Sequence, residues 1–207
     1  MPKRKRSRRP GYLLRSLLRH GRMFLVILLA YLIHVCIMPD VKIFGVTPSL
    51  IFAVTAVITV AFDRWRAAWT GMIFGILLEV MQPTAPLLNL LLYPISAVFG
   101  ALVFSDKSPQ QLEYERGIGK PGRNASPWLR TPLCAVMVTF IYEVINNAYV
   151  YLRSGVLPAR FLTHTLTDLL LTGLLAALIM VPLRRFFGVR PAPDPGANLR
   201  PVPYRRR

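Results

Sequence analysis

Four ionisable side chains lie inside long apolar stretches of this 207-residue chain: His34, Glu79, Glu143 and Asp168. Carboxylate and imidazole groups can bind a cation, relay a proton or hydrogen-bond to a neighbouring helix. Because a charged group is costly inside a bilayer, ionisable residues within a membrane span are candidates for function. Polar side chains there also commonly hold helices together, and that structural role is the favoured interpretation for all four.

Helical rise gives the depth of each of these side chains. At about 1.5 Å per residue from the preceding basic residue, His34, Glu79 and Glu143 lie about 18 to 20 Å from the inner boundary, and Asp168 lies about 12 Å below the outer boundary. Against a hydrocarbon core about 30 Å thick, all four fall in the outer half. The sequence therefore predicts one coherent polar layer.

Glu79 ends a stripe of small residues. Gly71, Gly75 and Glu79 recur every four residues, so they share one face of a helix. Glycines at this spacing allow a second helix backbone to approach closely. We therefore expect the stripe to pack against another helix, either of this chain or of a partner.

Two further polar patches occur on predicted helices. Asn146 and Asn147 follow Glu143 at the third and fourth positions, and His164 lies one turn before Asp168. No metal-ligand spacing, serine nucleophile turn or phosphate-binding loop accompanies them. The sequence predicts a protein that is not an enzyme and that has no metal and no cofactor.

The elements that position these residues follow from composition. Apolar residues make up 54% of the chain and charged residues only 17%, whereas a soluble domain carries about 25% charged residues. The charges are confined to the tails and a few short loops, which predicts an all-α integral membrane protein of about six transmembrane helices. The predicted spans are 23–38, 48–62, 67–81, 87–104, 131–151 and 161–187.

The basic residues predict the orientation. With the N-terminus inside, only Lys42, Arg153 and Arg160 of the 26 Lys and Arg residues fall in outer loops. An odd number of spans would place one basic tail outside, so both termini are predicted to be cytoplasmic. The net charge of +17 is better explained by this bias and by anionic lipids at the tails than by nucleic acid.

Three regions are predicted along the chain. Residues 1–22 form a basic cytoplasmic arm, with an amphipathic stretch on the membrane surface. Residues 23–187 form the transmembrane domain, in which 105–130 is a flexible cytoplasmic loop. Residues 188–207 form a basic, proline-rich cytoplasmic tail. The short second and third spans are expected to extend into loop residues, to tilt little or to lie inside the bundle.

The stretch from Thr47-Pro48-Ser49-Leu50 to Thr70-Gly71-x-x-x-Gly75-x-x-x-Glu79 resembles the MreD family, a small membrane component of the bacterial rod-shape machinery. Pro48 opens the second span as in that family, and Glu143 corresponds to an acid of its fifth span. The family's usual aspartate is Glu79 here. The resemblance covers about residues 22–187.

The resemblance implies a non-enzymatic scaffold in the bacterial cytoplasmic membrane. MreD-like proteins are thought to lie beside a single-span MreC-like protein. They help to connect MreB filaments with the peptidoglycan synthase RodA and its class B penicillin-binding partner. The implied site residues are packing or partner-binding positions at Pro48, Gly71, Gly75, Glu79, Glu143, Asn146 and Asp168, with a polar layer that includes His34, Asn147 and His164.

A second function stays open, because the family also resembles the six-helix substrate-binding components of energy-coupling-factor transporters. A scaffold should close its polar layer by internal contacts, whereas a solute-binding subunit needs a cavity of a few hundred cubic ångströms. The candidates for convergence on such a cavity are His34, Glu79, Glu143, Asn146 and Asp168. Their acids would suit a cationic ligand or protons.

Overall fold

The computed structural model describes residues 10–62, 64–81, 87–107, 109–119, 126–156 and 161–188. Within these ranges the chain is helical, with no strand beyond one isolated bridge between Ile43 and Val46. The seven helices are α1 (Pro10–Cys36), α2 (Leu50–Ala61), α3 (Arg64–Met81), α4 (Leu88–Phe104), α5 (Pro109–Gly117), α6 (Pro127–Ser154) and α7 (Phe161–Phe187).

Six of these helices coincide with the six predicted apolar segments, and α7 matches its segment at both ends. Two of them, α6 and α7, are long and apolar enough to cross a membrane by length and composition. Shorter apolar helices are His20–Cys36 within α1, α2 and α4. An all-helical architecture is therefore as the sequence predicted.

Helix α2 is the centre of the bundle. It contacts α1, α3, α4, α6 and α7, and every residue from Leu50 to Val60 is buried. At 12 residues it is only about 18 Å long. A helix that is apolar all round fits a fully buried position, which is where the short second segment was expected to lie.

Three boundaries differ from the sequence prediction. Helix α1 starts at Pro10 and continues without interruption to Cys36, so the amphipathic stretch belongs to the same helix as the first apolar segment. Helix α3 starts at Arg64 and has 18 residues rather than 15. The stretch 105–130 contains α5 and the start of α6, so describing it as a flexible loop was wrong.

The end of α4 is joined to the start of α6 by Arg130, a buried residue. Its guanidinium donates to the Phe104 carbonyl through Nε at 3.1 Å and through a second nitrogen, and to Asp106 Oδ1 at 2.6 Å. Carbonyls at a helix C-terminus lack intrahelical partners, so this arginine satisfies an exposed helix end. The predicted regions 1–9, 82–86, 157–160 and 189–207 lie outside the described residues.

Candidate functional site

The glycine stripe of α3 packs against α4. A Cβ atom built on Gly71 would lie 2.7 Å from the Tyr93 carbonyl oxygen, and one on Gly75 would lie 2.7 Å from the Asn89 carbonyl oxygen. Both neighbours are backbone atoms, which have little freedom to move. The stripe therefore serves a helix contact within the chain and leaves no room for a partner helix at this face.

Glu79 completes the same contact as a cap for α4. The Leu87 N–H donates to its Oε1 at 2.8 Å, and the Asn89 N–H donates to its Oε2 at 3.2 Å. Leu87 has a left-handed backbone (φ 62°) and supplies no cap of its own. A carboxylate at a helix N-terminus satisfies unpaired N–H groups and complements the helix dipole. Both oxygens of Glu79 are used in this way.

Pro48 and Ser49 directly precede α2, and Ser49 is the N-terminal cap of that helix. Both are buried, and the Ser49 hydroxyl accepts a bond from the Phe52 N–H at 3.5 Å. The Ser49 N–H donates to the Thr172 hydroxyl at 3.0 Å, and that hydroxyl donates to Asp168 Oδ1 at 3.0 Å. This chain of bonds ties the start of α2 to α7, and it gives Asp168 one of its partners.

Four of the predicted polar residues, His34, Glu143, His164 and Asp168, line a cavity of about 370 Å³, which we call the acidic cavity. It reaches the surface at Pro39, Met81 and His164, all of which are exposed. Helices α1, α2, α3, α4, α6 and α7 all contribute to its wall. Its lining is His34, Val35, Pro39, Thr47, Ser49, Phe52, Leu78, Met81, Asn89, Tyr93, Tyr142, Glu143, His164 and Asp168.

The acidic groups of this cavity are only partly engaged with the rest of the protein. Glu143 Oε2 accepts a bond from the Asn147 amide at 2.8 Å, and Asp168 accepts the Thr172 bond. The buried Nδ1 atom of His34 has no hydrogen-bond partner in the described part of the chain. The cavity can thus accept further hydrogen bonds.

Three aromatic rings form a compact cluster in the cavity wall. The Phe52 and Tyr93 rings stack with centroids 4.9 Å apart, and the Tyr142 ring lies 4.9 Å from Phe52 and 5.1 Å from Tyr93. The Tyr142 hydroxyl donates to Asn89 Oδ1 at 3.2 Å. Asn89 therefore connects the cluster with Glu79, since its own N–H binds that carboxylate.

The structure divides the predicted polar layer into two parts. His34, Glu143 and Asp168 line the acidic cavity with His164, so internal contacts do not close the layer there, and an open cavity is the feature that a solute-binding subunit needs. Glu79 lies beside the cavity and is occupied in capping α4. Asn146 lines a different cavity of about 330 Å³ with Leu88, Tyr149, Val150, Arg153 and Ser154.

Sequence reasoning missed Asn89 and Tyr142. A neutral polar residue costs less than a charged one in an apolar segment, so neither carried the signal that identified the acids. Two positions in the sequence could have indicated them: Asn89 lies at the start of a predicted span, and Tyr142 directly precedes Glu143.

No family model, curated protein or solved structure matches this chain. The function must therefore be inferred from its own residues.

Proposed function

We propose that the chain crosses a bacterial cytoplasmic membrane six times with both termini inside. Only 22% of the apolar stretch of α6 and 33% of that of α7 are buried in the bundle. The core helix of a soluble protein is mostly buried, whereas here Leu170 and Leu174 are 73% and 69% exposed. Such apolar surface suits lipid. In this orientation the acidic cavity is at the extracytoplasmic end.

Within that membrane, we propose a non-enzymatic scaffold of the MreD type. One observation carries this proposal: the residues that produce the resemblance occupy contacts that build the bundle. Gly71 and Gly75 meet the backbone of α4, Glu79 caps α4, and Ser49 caps α2.

The expected partners are an MreC-like single-span protein and, directly or through it, the RodA synthase with its class B penicillin-binding protein and MreB filaments. Exposed apolar faces such as those of α6 and α7 are available to a partner span. Anionic lipid is expected at the basic tails.

Affinity purification from the native membrane tests the scaffold proposal. A tagged chain should recover a single-span MreC-like protein in stoichiometric amount, and depletion of the chain should round the cells. As a control, the Gly21→Leu variant should recover the same partner, because nothing lies within 4 Å of a Cβ at Gly21. Recovery of a membrane-associated ATPase pair instead of a cell-shape protein would contradict the proposal.

The acidic cavity favours a second candidate, a solute-binding subunit of a small-molecule transporter. Its volume of about 370 Å³ lies within the usual range of ligand pockets, about 300 to 1,000 Å³. Uptake of a solute that depends on this chain and on an ATPase partner would favour this candidate over the scaffold.

A further inference from the structure

The acidic cavity presents hydrogen-bond acceptors without matching cations. In the described part of the chain the ion pairs are Lys107–Glu115 and Arg130–Asp106, and neither lies at this cavity. No lysine or arginine occurs among its described lining residues. The Glu143 and Asp168 carboxyl groups therefore line one cavity that is open to the surface. Buried charges are stable only when they are paired or hydrogen-bonded.

The aromatic cluster adds a second property of the same space. Phe52, Tyr93 and Tyr142 line the wall beside the acids. Aromatic rings attract cations through their quadrupole and also provide apolar surface for the body of a ligand. An apolar wall with a few convergent polar groups is the usual composition of a small-molecule site.

The side chains of the acidic cavity suit an organic ammonium group better than a metal ion. No group of three His, Cys, Asp or Glu side chains in the described residues could hold a metal ion. An ammonium group, in contrast, donates up to three hydrogen bonds to acceptors in different directions. Glu143 and Asp168 offer such acceptors from α6 and α7 respectively.

We propose that the acidic cavity binds a small organic molecule that carries a protonated amine. The amine is held between the Glu143 and Asp168 carboxylates, and the body of the ligand contacts the half-buried Tyr142 ring of the aromatic cluster. This site does not depend on the scaffold proposal, because partner spans would pack on the outside of the bundle. It would also define the solute class of the second candidate.

Three probes of similar shape and different charge test this site: phenethylamine, the neutral 2-phenylethanol and the anionic phenylacetate. Calorimetric titration of the full chain in detergent micelles should show binding of phenethylamine, at least tenfold tighter than either of the others. Equal affinities for the three probes, or no binding of phenethylamine, would overturn the proposal.

Variants of the two acids locate the binding. Glu143→Gln and Asp168→Asn each should weaken phenethylamine binding at least tenfold, while an amide oxygen still accepts the bonds from Asn147 and Thr172. Glu113→Gln on the exposed surface of α5 removes the same charge outside the cavity and should leave binding unchanged.

Thermal melting would show that each variant is folded. If an acid variant does not fold, Tyr142→Leu provides a second test, because it removes the half-buried aromatic ring of the cavity wall and should weaken phenethylamine binding. Binding that is insensitive to every folded cavity variant, or equally sensitive to Glu113→Gln, would overturn the proposed location.

Discussion

The α3–α4 contact and the acidic cavity use similar residues for different purposes. At the first, both oxygens of Glu79 accept backbone N–H groups of α4, and two glycines bring the helices together. At the second, Glu143 and Asp168 receive side-chain bonds from Asn147 and Thr172 and still face open space. Acids at comparable predicted depth thus differ in how completely the protein satisfies them. Replacing Glu79 at the α3–α4 contact should lower the stability of the fold, whereas replacing Glu143 or Asp168 should lower the affinity of the cavity for its ligand.

The largest expected effect is that of Gly75→Leu. A side chain there meets the Asn89 carbonyl oxygen at 2.7 Å, so α3 and α4 must separate. We expect the free energy of unfolding to fall by about 3 kcal/mol, as overpacking of a core typically does. Denaturant titration in mixed micelles measures this, with Gly21→Leu as the control. Equal stability of the two variants would show that the stripe does not determine the packing.

Glu79→Ala should have the next largest effect. It leaves the Leu87 and Asn89 N–H groups without their acceptor, and loss of a helix cap costs about 0.5 to 2 kcal/mol. Glu79→Gln should be milder, because its one amide oxygen still accepts a bond. The same titration ranks the three proteins. If alanine and glutamine were equally harmless, Glu79 would not be the cap.

Thr172→Val tests the connection between the start of α2 and Asp168 at the acidic cavity. Valine fills similar space but removes the hydroxyl that accepts the Ser49 N–H and donates to Asp168. We expect a loss of about 1 kcal/mol, since a buried N–H is left unpaired. Thr167→Val is the control, because the Thr167 hydroxyl bonds only within its own helix, to the Thr163 carbonyl. A smaller loss for Thr172→Val than for the control would contradict the connection.

The smallest stability effects should come from the cavity acids. Glu143→Gln and Asp168→Asn keep an oxygen for Asn147 and Thr172, and neither breaks an ion pair found in the described residues. We expect unfolding free energies within about 0.5 kcal/mol of the unaltered chain, as for a change without a lost packing contact. A loss of unfolding free energy as large as that of Glu79→Ala would show that these acids stabilise the fold as Glu79 does.

Much of the helical architecture could be predicted from the sequence, because apolar runs interrupted by charge and proline define the elements. The limits of α7 were predicted in full, and the buried position of α2 was indicated by its short apolar segment. Helix α5 was missed because it is polar, ends at Gly117 and precedes Gly119, and these glycines suggested a loop. The continuity of α1 was missed because a basic, amphipathic start does not show whether the helix bends at Gly21.

The site was predictable only in part. The cost of burying charge identified His34, Glu143 and Asp168, and it also identified Glu79, whose role differs. Both oxygens of Glu79 accept hydrogen bonds because the N–H groups of Leu87 and Asn89, at the start of α4, point toward them. The direction of those N–H groups depends on how α3 and α4 pack, which the sequence does not show. Asn146 and Asn147 are neighbours in sequence, yet only Asn147 binds Glu143, because small rotational differences decide which residue reaches a carboxylate.

The orientation of the bundle is the central claim, because it assigns the acidic cavity to the extracytoplasmic side. Cysteine labelling in intact cells tests it most directly. In a Cys36→Ser background the remaining native thiol, Cys134, is fully buried. A membrane-impermeant maleimide should then label Ser154→Cys at the end of α6 in intact cells. It should label Glu113→Cys on α5 only after the membrane is permeabilised. Labelling of Glu113→Cys in intact cells, with Ser154→Cys protected, would contradict the account.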